Sequence, residues 1–187
     1  MVFTIISRLV NGVKEGVKAG LEGVSDVSGA IVDLVKNTTV SMLKGTTEVV
    51  TTGVDAAGSV VKGAISGVAD IGAAVVGTIK GIVIGTVRGV MESGGKQEEA
   101  IQGAVGQAIQ SAKELGLNVG EAAVEIVKGA VEAVKEVGGD TIAATKTAVT
   151  TAVEVAAEIG GETVETVKSA LSESVEGAKK IIEEIKK

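Results

Sequence analysis

Apolar residues recur along this chain every eleven positions and hold their phase from end to end. Steps of eleven from Val10 meet Leu21, Val32, Leu43, Val54, Ile65, Val76 and Val87. Steps from Val13 meet Val24, Val35, Thr46, Ala57, Val68, Ile79 and Val90. The second half carries the same period in Leu115, Ile126, Val137, Ala148, Ile159, Ala170 and Ile181. Eleven residues in three turns is about 3.67 per turn, so such a stripe stays on one face of a nearly straight α-helix. The expected class is all-α, built from very long hendecad helices packed in a higher-order oligomer.

The width of the stripe sharpens that expectation. Charges such as Lys14, Glu15, Lys18, Glu22, Asp26, Asp33 and Lys36 fall on a narrow polar arc, and apolar or small residues fill most of the remaining circumference. A two-stranded coiled coil needs only a narrow seam. A helix this broadly apolar has to bury more than one flank, in a bundle, in a wall where each helix touches two neighbours, or on a lipid surface. The residues expected to carry self-association are Val10, Leu21, Val32, Leu43, Val54, Ile65, Val76, Ile79, Val87, Leu115, Ile126, Val137, Ile159 and Ile181.

Glycine adds a second constraint. The chain has 27 glycines, most of them inside the periodic pattern. Each costs about 1 kcal/mol relative to alanine in a helix interior, so close backbone approach has to offset them. Gly72, Gly94, Gly116, Gly138 and Gly160 recur every 22 residues, alternating with large residues such as Val83, Val105, Val127 and Val149. That alternation predicts interdigitation with a neighbouring helix, with these five as close-packing glycines.

Ser93-Gly94-Gly95-Lys96 reads as a turn, followed by the acidic first turn Gln97, Glu98, Glu99. It also divides the charge. Residues 1–92 carry eight basic and eight acidic groups, whereas residues 96–187 carry ten basic and sixteen acidic ones, which is the whole net charge of −6. The division favours a helical hairpin, with a neutral, more apolar helix over 1–92, a turn over 93–96 and an acidic helix over 97–187. Gly138-Gly139 and Gly160-Gly161 share the phase of Gly94-Gly95, and the register runs through 94 without a slip, which supports one continuous helix as the alternative. Leu115–Glu121 is a weaker break.

Composition removes most chemistry. With no His and no Cys, nucleophilic triads and His or Cys metal sites have no members. Carboxylates at 114, 121, 125, 132, 136, 154, 158 and 165 share a face of the expected second helix, where ion pairs with Lys128, Lys135 and Lys168 account for them. No glycine-rich stretch has the strand context or GK[ST] ending of a phosphate loop. The reading is therefore no enzyme, no cofactor, no bound metal and no small-molecule substrate. An acidic chain whose one aromatic is Phe3 is also no nucleic-acid binder. No secretory signal and no conventional membrane span is evident, since Ile71–Met91 is interrupted by Lys80 and Arg88.

Val13-Lys-Glu-Gly-Val-Lys-Ala-Gly20, Thr145-Lys-Thr-Ala-Val149 and Ser174-Val-Glu-Gly-Ala178 resemble the repeats of synucleins, and the Thr- and Gly-rich eleven-residue pattern resembles that of perilipins. The sequence is also similar to long hendecad coiled coils. The first resemblance implies a helix lying on membranes or lipid droplets, the second a straight or slightly right-handed assembly. Two functions follow as expectations. The first is a non-enzymatic, self-assembling structural protein whose partner is itself, as a bundle, barrel wall or filament. The alternative is a peripheral lipid-surface protein, inserting as an oligomer if Lys62, Asp70, Lys80 and Arg88 line a lumen.

Overall fold

In a computed structural model, residues 2–45 and 53–185 are described, with side chains from Thr4 onward. Thr46, a member of the second apolar series, lies outside them, as does the 46–52 part of the expected 1–92 helix. Among the described residues there are nine helices: α1 (Val2–Leu21), α2 (Val27–Gly45), α3 (Gly53–Asp70), α4 (Val75–Glu92), α5 (Gln97–Glu114), α6 (Val119–Glu136), α7 (Thr141–Ile159), α8 (Gly161–Ser174) and α9 (Ala178–Ile185). The all-α class holds. The very long helices do not: neither a hairpin of two nor one continuous rod forms, and α3 to α6 are 18 residues each, about 27 Å long.

The repeating glycines end the helices. Gly72, Gly94, Gly116 and Gly138 have φ of 75°, 92°, 69° and 74°, the left-handed region that glycine enters without a Cβ clash. Each sits in a doubly hydrogen-bonded helix end. Gly94 N donates to Met91 O at 3.0 Å and Gly95 N to Val90 O at 2.9 Å. The same pair recurs as Gly72 to Ala69 with Ala73 to Val68, Gly116 to Lys113 with Leu117 to Ala112, and Gly138 to Lys135 with Gly139 to Val134. These are Schellman ends, which satisfy the last helical carbonyls and turn the chain back. Gly160 breaks the chain more abruptly, between α7 and α8, at φ 153°. A Cβ added at any of these five would meet nothing within 4 Å. They are turn glycines in open space, which corrects the expectation of close packing.

Two of the next helices, α6 and α7, start on matching side-chain caps. Asn118 Oδ1 accepts from Glu121 N, and Asp140 Oδ1 accepts from both Ile142 N and Ala143 N at 3.0 Å. Asp140→Ala leaves two first-turn N–H groups of α7 without that acceptor. Its expected cost is about 1 kcal/mol, read as a lowered urea midpoint.

The helices stack in two layers. Odd helices α1, α3, α5, α7 and α9 lie side by side in one, and α2, α4, α6 and α8 in the other. An interior helix therefore packs against two neighbours of its own layer and against helices of the facing layer. That is why the apolar arc is so wide. The core between the layers is mostly Val, Ala and Ile, with Ile82, Ile101, Ile109, Ile126 and Leu171 fully buried.

Close approach does occur, at other glycines. A Cβ at Gly85 of α4 would lie 2.6 Å from Val32 O and 2.9 Å from Val35 Cβ of α2. A Cβ at Gly89 would repeat the contact one turn on, 3.0 Å from Lys36 O, and one at Gly67 of α3 would lie 2.8 Å from Lys14 O of α1. A Cβ at Gly129 of α6 would lie 2.9 Å from Lys80 O of α4. These positions set the short spacing of helices within a layer, because interaxial distance follows the side chains at the contact.

Candidate binding grooves on the two helix layers

The seam residues hold this chain against itself. Leu21, Ile65, Ile79, Val87 and Ile126 are buried in its own core. Val10, Val32, Leu43, Val54, Val137, Ile159 and Ile181 are half-buried, while Val76 and Leu115 are 58% and 46% exposed. The stripe expected to join one chain to another is thus largely spent inside one chain.

Ion pairs tie neighbours within each layer. Lys14 Nζ lies 3.0 Å from Asp70 Oδ2, linking α1 to α3. Lys80 with Glu132 at 2.7 Å and Arg88 with Glu136 at 2.8 Å link α4 to α6. The hydrogen bond that Lys14 donates to the Asp70 carboxylate, followed by that group's negative charge, holds the Lys14 ammonium pKa above its ordinary value. The pairs are partly exposed, so they set helix register more than stability. Among the expected carboxylates, Glu132 and Glu136 pair across helices, whereas Glu165 pairs with Lys168 at 3.4 Å along α8. The eight no longer share one face, being spread over α5, α6, α7 and α8. No group of three carboxylates among the described residues is placed to hold a metal ion. Likewise, no helix among them is long and apolar enough to cross a membrane, and Asp70, Lys80 and Arg88 of the imagined lumen are in the pairs above.

Surface grooves lie on both layers, and one on each is lined by residues of the stripe. The one on the odd layer, about 700 Å³, has a floor of Gly58, Gly103 and Gly106 and a polar lining that includes Asn11, Gln107 and Gln110. Val10 and Val54 border it. The groove on the even layer, about 510 Å³, is bordered by α4, α6 and α8. Its floor is apolar, with Val76, Ile79, Leu117 and Val124, and its rim carries Glu121, Glu125 and Glu173. The sequence pattern marked Val76 and Ile79 but not their meeting with Glu173, 97 positions away from Val76. Nothing in an eleven-residue period specifies which helices become neighbours.

A crystal structure of a de novo designed helical repeat protein superposes on this chain with a TM-score of 0.58, covering 92% of this chain and 95% of that one at 20% identity. The fold is that of a helical repeat. No protein-family model matches the chain, and no curated protein matches it.

Proposed function

We propose that this protein is a non-enzymatic helical-repeat scaffold that acts by presenting its grooved layer faces to partners. The observation that carries this reading is the use of the apolar stripe: it closes the core between two layers of one chain and leaves shallow grooves outside. Stacked repeats of this kind gain stability from nearest-neighbour interfaces and offer extended surfaces for binding. A sequence without His or Cys leaves little for a catalytic site to be built from.

Circular dichroism and light scattering on lipid-free protein test it together. The expected result is a strongly helical species with the 18.5 kDa mass of one chain. A species many times heavier, dispersed by Val76→Asp, would instead support self-assembly through the exposed apolar residues Val76 and Leu115. Helicity that appears only on adding lipid vesicles would support the lipid-surface reading and overturn the scaffold.

A further inference from the structure

We infer that the even-layer groove is a docking site for a cationic amphipathic segment of a partner protein. The inference rests on the scaffold reading and names its partner class. The floor is open: Val76 is 58% exposed, Leu117 is half-buried, and Ala122 and Val124 lie just beneath the surface at 8% each. The rim is acidic and unbalanced. Glu121 and Glu125 stand one turn apart on α6, with Glu173 facing from α8, and no lysine or arginine lines the groove. None of the three forms an ion pair among the described residues. Glu173 accepts only the Ser169 hydroxyl at 3.2 Å, from its own helix. The nearby Lys80 is held 2.7 Å from Glu132.

An apolar floor edged by like charges selects its guest. Lysine and arginine lay an aliphatic stem on apolar surface while the charged head reaches outward, here to the carboxylates. Apolar side chains at helical spacing on the same segment fill the floor, the groove-binding mode of amphipathic helices. At about 510 Å³ the groove accepts a few side chains of a short segment. The rim repels anionic lipid headgroups, so a membrane surface is the poorer fit.

Fluorescence anisotropy with a labelled, helix-forming Leu/Lys peptide tests the site on the full chain, beside the same peptide with Glu for Lys. The Lys peptide binds and the Glu peptide does not. Glu121→Gln, Glu125→Gln and Glu173→Gln together weaken binding by about tenfold, as expected for three exposed charge contacts. Val76→Ser weakens it by about threefold through lost apolar contact. A control triple, Glu98→Gln, Glu154→Gln and Glu158→Gln, removes the same charge from α5 and α7 of the odd layer, at residues that do not line the groove, and changes affinity by less than about twofold. Equal weakening by both triples would mean diffuse charge attraction and would overturn the site. Absence of Lys-peptide binding to a chain that dichroism and light scattering show folded and single overturns it as well, leaving the scaffold standing. A chain that is not folded alone would sink both.

Discussion

Replacing Gly72, Gly94, Gly116 and Gly138 by alanine together is expected to destabilise the protein by about 4 kcal/mol. Each alanine would have to adopt φ between 69° and 92°, which costs an L-residue roughly 1–2 kcal/mol, offset in part by the lower entropy of the unfolded chain. No steric contribution enters, because an added Cβ meets nothing within 4 Å at any of the four. The sites are 22 residues apart, at separate turns, so their effects should add. Sign makes this test decisive. In a continuous hendecad helix the same four changes would each gain about 1 kcal/mol, since alanine is the better helix former. Urea unfolding followed by circular dichroism reads the difference, and a raised midpoint would refute the short-helix array.

Gly103→Leu should cost about 3 kcal/mol for the opposite reason, since here the backbone is helical and the space is full. A Cβ at Gly103 of α5 runs into the carbonyl oxygen of Val54 and stands 2.8 Å from the Cβ of Ala57, both on α3. A backbone carbonyl cannot rotate aside, so α3 and α5 must separate and lose contact along their length. Gly58 gives a matched control across the same helix pair. Its added Cβ would be 3.6 Å from Gly103 O and 3.8 Å from Gln107 Cβ, ordinary contact, so Gly58→Ala should stabilise by up to about 1 kcal/mol. Thermal or urea midpoints moving in opposite directions confirm the α3–α5 packing. An unchanged midpoint for Gly103→Leu would show that the helices do not meet at this register.

The grooves were only partly legible beforehand. Val76 and Ile79 stand out in the eleven-residue series, and Glu121 and Glu125 stand out as an i, i+4 pair. Their assembly with Glu173 depends on α8 lying beside α6, a neighbour relation between segments that share the same periodicity. One signal for the turns is readable in the sequence: Gly116 and Gly138 are each followed two residues later by a helix-starting side chain, Asn118 and Asp140. A helix-ending glycine followed by an N-cap residue marks a boundary wherever it recurs, not only at the midpoint of the chain.

By itself the sequence determined the all-α class, a stripe too wide for one partner, the 22-residue glycine spacing and a composition poor in reactive groups. Tertiary structure decided how those pieces are used. An 18-residue helix plus a four-residue connection spans 22 residues, two hendecads, so apolar register passes through every turn as if the helix had never stopped. Periodicity therefore cannot separate a rod from a folded array. The choice lies with the left-handed glycines, whose amides close the helix ends, and with layers that let one chain bury both flanks of its own stripe.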